Sequence, residues 1–304
     1  MKAAVFSEFG GPEVLRLADR PEPEPRAGEV RIAVEAAVVH PFDLLTRAGA
    51  IVRAGMVPAP EHGFEWGLGW DCVGRIDAVG DEVDLQVGQR VLGMQPAIAV
   101  PTGAQAERVV LAAGSVAPAP EGVEPTRAAT LPLDGLTALA AIEAAELAPG
   151  RHLVVFGGTG GIGWFAVQLA LRAGLRVTAT AGEPDAAHVR ALGAEVVDRN
   201  SLPRAVDAVL DTPGIGAAAL TVIRDGGTLV TVAGPVAGDR GIRSVQVRVS
   251  QLDRRAERLG ELSSLAATGD LVLPVALAMP LADVAGAHRR LAAGGVGGRL
   301  VLVP

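Results

Sequence analysis

The residues whose types and spacing most plainly could do chemistry are seven in a row after an apolar run at 152–156: Gly157, Gly158, Thr159, Gly160, Gly161, Ile162 and Gly163. Trp164 then continues into a stretch, 164–172, with the apolar spacing of a helix. Strand, Gly-x-Gly-x-x-Gly, helix is the order that holds the pyrophosphate of a dinucleotide. One glycine lets the chain turn tightly, a second lets backbone approach the phosphates, and a third lets helix pack on strand. The phosphates then sit on the free N–H groups and positive dipole end of that helix. A glycine-rich turn alone is weak evidence. Here the runs 175–180, 207–211 and 227–232 continue the alternation of strand and helix, and the reading is a bound dinucleotide. Further contacts to it are expected where those strands end, at Thr180 and Ala181, at Thr212, and at Val232, Ala233 and Gly234.

NAD enzymes of this architecture keep a carboxylate at the end of the second strand for the ribose hydroxyls. Counting back from Leu192, Gly193 and Ala194 places Thr180 there, followed by Ala181 and Gly182. Nothing at that point repels a 2′-phosphate. NADPH is the expected cofactor, with NADH as the alternative through the nearby Glu183.

Composition removes other chemistries. The chain has no Tyr, one Cys (Cys72), one Lys (Lys2) and five His. A short-chain dehydrogenase site, which needs a Tyr beside a Lys, cannot be built. A Schiff-base lysine is excluded in practice, because Lys2 opens what reads as the first strand. One Cys forbids an internal disulfide and any Cys-rich zinc site, and no Gly-x-Ser-x-Gly elbow is present. A net charge of −7 without long runs argues against nucleic acid as a partner. The most apolar region, 271–287, is broken by Pro274, Pro280 and Asp283 and is no membrane span. With no leader pattern over the first residues, the expectation is a soluble, cytoplasmic protein that meets no membrane.

The elements that must position the glycine turn fall into two regimes. Up to about residue 120 the chain shows short β-runs (1–6, 29–39, 72–79, 89–94) cut by Gly and Pro, which reads as a β-barrel-like unit. From about 125 to 269, strands alternate with helices, which implies α/β architecture with a doubly wound parallel sheet. The end, 271–304, returns to strand, helix, glycine turn and strand. The expected domains are therefore 1–122 with 270–304, and 123–269, with the cleft between them serving the cofactor.

Segments spread along the whole chain resemble the medium-chain dehydrogenase/reductase superfamily in its zinc-free quinone oxidoreductase (zeta-crystallin-like) branch. They include residues 1–6 with Gly10, Gly11, Pro12 and Glu13; His40, Pro41, Phe42 and Asp43 with Arg47 and Gly49; and Gly69 to Gly74 with Val79 to Val83. Leu131 to Ala138, Ala287 to Leu291 and Gly298 to Leu302 complete the set in family order. The resemblance implies a GroES-like β-barrel-type catalytic domain plus a Rossmann domain, commonly as a homodimer. It implies an NADPH-dependent enzyme that transfers hydride to a small molecule, a quinone or the C=C bond of an enone. A pathway-specific enoyl reductase, or a cofactor-binding protein without turnover, is the alternative.

The departures from the family bear on the site. Zinc-bearing relatives hold their metal with Cys, His and Cys, and the matching positions here are His40, Trp70 and Pro132. Two of these cannot ligate, so no metal is expected. The zinc-free branch usually has Asn where this chain has His40, and tyrosines where it has Leu45 and Ile51. A lysine that often binds the 2′-phosphate in relatives is matched by Asp185. Thr137 matches a position against the nicotinamide, although a Thr opening a helix is equally a cap.

His40, Asp43 and Trp70 form the expected catalytic set. Asp43 is open to a structural reading, paired with Arg47 four residues on. Trp66 and Trp70 are open between stacking on a flat substrate and plugging the domain junction. His62, His152, His188 and His288 read as surface or capping residues, and Cys72 as core. With no Tyr to act as acid, solvent is expected to supply the proton while His40 orients the substrate carbonyl. The run 244–249 reads as the last strand of the parallel sheet, whose open edge is expected to pair with a second copy.

Overall fold

The computed structural model describes residues 1–304 except His62, Glu183, Pro184 and Arg199. The proposed role of Glu183 and the reading of His62 lie outside the described residues. The chain divides into two compact units, Met1–Leu133 with Asp253–Pro304, and Asp134–Leu252.

In chain order the first unit begins with β1 (Lys2–Phe6), β2 (Arg16–Asp19) and β3 (Glu29–Val39), then α1 (Pro41–Arg47) and α2 (Ala50–Arg53). Next come β4 (Trp66–Gly67), β5 (Asp71–Val79), β6 (Arg90–Met94), β7 (Arg108–Ala112), β8 (Val116–Pro118) and α3 (Pro125–Ala128). The chain continues through α4 (Pro132–Ala145), β9 (His152–Phe156), α5 (Gly161–Arg172), β10 (Arg176–Thr180), α6 (Ala186–Ala191) and β11 (Glu195–Val197). The strands β12 (Val206–Asp211), β13 (Ile223–Thr231) and β14 (Arg243–Gln246) follow, then α7 (Arg255–Ala267), β15 (Val275–Pro280), α8 (Val284–Ala292) and β16 (Arg299–Val303).

The β unit is built around β3. Its first half alternates, with Val30, Ile32 and Val34 inward and Arg31 and Glu35 outward, and its last four residues are buried on both faces. Arg31 meets Asp77 and Glu35 meets Arg90 on the outward face. β5 pairs with most of the length of β3, while β7 and β16 pair with successive parts of it, all antiparallel. A second sheet, in the order β2-β1-β4, carries Phe6 and Trp66 into the same core as Leu281, Val284 and Leu300.

This unit reaches further along the sequence than the expected boundaries at 122 and 270. α7 belongs with it because Ser263 Oγ donates to Pro118 O (2.7 Å) and Arg255 Nε to Ser115 Oγ (3.1 Å). Among the described residues, one helical stretch is long and apolar enough to cross a membrane, Pro125–Ala145, and its most apolar window is 78% buried, as a core helix is.

The second unit is a six-stranded, wholly parallel sheet in the order β11-β10-β9-β12-β13-β14. Counted within the unit this is 3-2-1-4-5-6, the doubly wound order with its switch point between β9 and β12. β9 lies at the centre and is buried throughout, because helices cover both faces of a parallel sheet. α5 returns over it and ends at Arg172, and Gly174, just past the Ala173 cap, has a φ of +74° that suits the left-handed position after a helix. The edge strand ends at Gln246 and not at 249. Val247 N–H turns instead to Thr231 O, and a 3-10 turn, Val249–Gln251, follows.

Candidate functional site

Because the sheet is parallel, all of its carboxyl ends lie along one edge. Asp211 stands level with Phe156 and with Thr231, and Ala179 with Val155. Gly157, Thr180, Thr212 and Val232, each next after these or ending a strand, therefore share that edge. The strand ends thus fall where the sequence pattern put them.

The glycines of the turn do separate jobs. Gly157 has φ +76°, and a Cβ there would stand 2.7 Å from Thr212 Oγ1. A Cβ on Gly158 would meet Ala179 Cβ at 2.8 Å, and one on Gly163 would run into Gly157 O and lie 2.8 Å from Gly157 C. These positions are closed by the protein itself. Gly160 differs: a Cβ there would meet only Gly157 O, at 3.4 Å, and the residue is exposed. Of these four glycines, Gly160 is the one with space left where a ligand would approach.

Gly160 is the N-cap of α5, and no side chain caps that helix. Gly160 N–H itself goes to Gly157 O (3.0 Å), while those of Gly161, Ile162 and Gly163 have no acceptor among the described residues. Twelve residues of helix end in three undirected donors behind an open glycine. The residues fit a dinucleotide pyrophosphate. Ala181 and Gly182 follow Thr180 without charge. Thr137 is buried on α4, Val232 and Gly234 are half-buried, and Ala233 is exposed.

The expected catalytic set lies in the β unit, and all three members are buried: His40 and Asp43 are 1% exposed, Trp70 7%. Asp43 is the N3 residue of α1, and its carboxylate accepts from His40 N–H (2.8 Å), Gly69 N–H (3.2 Å) and Gln105 Nε2 (3.2 Å). It does not pair with Arg47. The Arg47 guanidinium instead donates through Nε to Gly10 O (3.1 Å) and through Nη1 to His288 Nδ1 (3.1 Å). Burial pushes the Asp43 carboxyl up to about 6, against the pull of the His40 charge and of the His40 and Gly69 amides.

The His40 ring is held by Asp71, Nε2 to Oδ2 at 2.9 Å. Asp71 is fully buried and also accepts from Leu133 N–H (3.0 and 3.1 Å), in the first turn of α4. Trp70 sets its edge against Phe42, centroids 5.2 Å apart at 85°. Trp66 stacks on Phe6 (5.9 Å, 15°) and touches Phe9 and Phe64, so it is core and offers no face to a ligand. Asp71 and Gln105 were missed by sequence reasoning. Asp71 carried a signal, as a carboxylate opening an apolar strand, but Gln105 carried none.

Two of the histidines expected as surface or capping residues are buried. His152 bonds Thr178 Oγ1 (2.8 Å) and accepts from Arg176 (2.8 Å), and burial, with the Arg176 charge, lowers its pKa. His288 is fully enclosed, with Nε2 unpartnered among the described residues, and burial beside Arg47 pushes it down to about 3. Cys72 is buried, and its thiol pKa is raised by that burial. At the positions matching zinc ligands, Trp70 and Pro132 have no donor atom and His40 Nε2 is spent on Asp71. No cluster of three or more His, Cys, Asp or Glu that could hold a metal is present among the described residues.

Comparison with known proteins agrees with both units. Residues 26–121 match the model of the alcohol dehydrogenase GroES-like domain, and residues 185–302 match that of the zinc-binding dehydrogenases. The chain is 31% identical to a quinone oxidoreductase of Pseudomonas aeruginosa, over all of this chain and 99% of that one. It is 32% identical to a chloroplastic NADPH-dependent alkenal/one oxidoreductase of Arabidopsis thaliana, over 78% of this chain and 63% of that one. The solved quinone oxidoreductase of Coxiella burnetii superposes with a TM-score of 0.88 at 30% identity, covering 100% of this chain and 99% of that one.

Proposed function

The chain belongs to the medium-chain dehydrogenase/reductase family, among its quinone oxidoreductase-like members, and from that premise we propose that it reduces a quinone or the C=C bond of an α,β-unsaturated carbonyl with NADPH. The observation that carries the reading is the uncapped amino end of α5 behind the open Gly160, at the switch point of the parallel sheet. Relatives named for quinone and for alkenal/one reduction support the substrate class. When bound, the dihydronicotinamide supplies the hydride. The N–H groups of Gly161, Ile162 and Gly163 would hold the pyrophosphate, with Gly158, Thr159 and Gly160 as the neighbouring turn residues. Thr137, Val232, Ala233 and Gly234 are the remaining contact candidates.

The uncharged end of the second strand, Thr180 through Gly182, supports NADPH over NADH. Titration of both cofactors tests this, and a lower Kd for NADH overturns it. Reduction of either acceptor also needs a proton, and we assign it to solvent. Asp43 is enclosed by three N–H donors and serves to fix α1 to the Gly69 turn. His40, its ring fixed by Asp71, is the group assigned to orient a substrate carbonyl, and Trp70 shapes an apolar wall. The protein is taken to act as a homodimer paired through the outer edge of β14, and light scattering checks it. NADPH consumption against a quinone panel and an enone panel separates the readings. Turnover of one enoyl substrate alone marks a dedicated enoyl reductase, and binding without turnover in either panel refutes the enzyme.

A further inference from the structure

The peptide unit that joins Phe156 to Gly157 is gripped from both sides. Its N–H donates to Thr180 Oγ1 at 2.9 Å, from the end of β10. Its C=O accepts from Thr212 Oγ1 at 2.7 Å, just past the end of β12. Both hydroxyls thus act on one plane, at the point where the chain leaves the central strand for the glycine turn. The surroundings leave that plane no second orientation. Gly157 sits at φ +76° with Thr212 Oγ1 2.7 Å from where its Cβ would be, and Gly158 N–H is held by Thr180 O at 2.9 Å. Thr212 is itself fixed, because the buried Asp211 carboxylate accepts from Gly214, Ile215 and Gly216 N–H (2.9, 3.0 and 2.9 Å) and closes the turn that follows it.

We propose that Thr180 and Thr212 are paired positioning residues that set the phosphate-binding turn by locking the Phe156–Gly157 peptide, and that neither is needed as a selective contact to the cofactor's ribose. The inference rests on the dinucleotide reading of that turn. An N–H with its hydroxyl acceptor removed must rotate toward water or stay buried and unpaired. Either way the following donors, at Gly161 to Gly163, lose their aim at the phosphates. Since both threonines hold one peptide, losing the second costs little once the first is gone.

The test replaces each threonine by valine, which keeps the shape and removes the hydroxyl, and by serine, which restores it. In cofactor-free protein, Thr180→Val is expected to speed hydrogen exchange of the Gly157 amide by at least about tenfold, the order of one lost hydrogen bond, and Thr180→Ser to return it toward wild type. The Kd values of NADPH, NADH and ADP-ribose are expected to rise by one common factor of about ten for either valine variant. The double variant should fall well short of the hundredfold product. Unchanged Gly157 exchange in Thr180→Val overturns the lock. So does a loss confined to NADPH, which would make Thr180 a 2′-phosphate contact. If wild-type protein binds none of the three ligands, the dinucleotide reading fails, and the exchange result alone decides the lock.

Discussion

Replacing Gly160 and Gly163 separately by Ala distinguishes a turn that is merely tight from one shaped around a ligand. At Gly160 the added methyl meets only Gly157 O, at 3.4 Å, and the backbone (φ −74°, ψ 158°) suits any residue. The apo protein therefore loses only the N-cap preference of Gly over Ala, about 0.5–1 kcal/mol, or about 1–2 °C in Tm for a chain of this size. The same methyl fills the space left for the pyrophosphate. NADPH affinity should fall by about 100-fold or more, which is about 2.7 kcal/mol. At Gly163 the methyl runs into the backbone of Gly157, lies 2.8 Å from Gly157 C and 3.1 Å from Gly158 Cα, and must push α5 off β9. Overpacking of that kind costs about 1–3 kcal/mol in the apo protein and disables binding as well. Calorimetry of the apo variants and fluorescence titration with NADPH give the two axes. Wild-type affinity in Gly160→Ala would refute the site. Equal apo stability of Gly163→Ala and wild type would refute the packing.

Three further outcomes follow from the buried polar groups. His288, pushed from an ordinary 6.5 to about 3, is depressed in the folded state, so the stability it contributes is complete above about pH 6.5 and is lost as pH falls toward 3. Asp43, raised from 3.8 to about 6, has the opposite sign: its contribution is complete below about pH 3.8 and is lost as pH rises through 6. Between about pH 4 and 6 the two offset each other. Relative to wild type, His288→Asn should therefore become less stable by about 1.4 kcal/mol per unit as pH rises across that window, read by urea unfolding at several pH values. A wild-type slope in the variant would contradict the burial of a neutral ring. Asp71→Asn or His40→Ala should each cost about 3–5 kcal/mol, because one partner of a buried pair is left behind. Cofactor-independent thermal unfolding checks this, and a loss below 1 kcal/mol would mean the pair is not closed. Activity should survive EDTA, since Trp70 and Pro132 supply no ligand, and one stoichiometric zinc per chain by elemental analysis would overturn that reading.

The parallel sheet and its glycine turn were legible because their signals are local. Apolar strand runs, glycines at fixed offsets and helix-length spacers all fall within about 80 residues of one another in the sequence. What escaped was contact over long separations. Arg47 and His288 are 241 residues apart, and His40 and Asp71 31 apart, so no pattern near either histidine marks its partner. The i,i+4 spacing of Asp43 and Arg47 suggested a helical pair. N-capping of α1 drew the carboxylate back to the His40 amide instead, leaving Arg47 to Gly10 and His288. His152 reads in the sequence as a surface or capping residue, yet it lies inside β9 with its ring bonded to the neighbouring strand. The last strand was read too long because residues 247–249 keep the alternating pattern of β14 while their hydrogen bonds leave the ladder.

The central claim is that this chain binds NADPH at the Gly158–Gly163 turn and passes its hydride to a quinone or enone. A single-turnover experiment tests it most directly. Protein saturated with NADPH deuterated at the transferred position of nicotinamide C4 is mixed with the best acceptor from each panel, and oxidation of the cofactor is followed against the protiated control. The account predicts oxidation with either or both acceptor classes, slowed by deuterium, and abolished by the Gly160→Ala change at cofactor concentrations that saturate wild type. Tight binding with no oxidation, or oxidation that proceeds unaltered in the Gly160→Ala protein under those conditions, would contradict it.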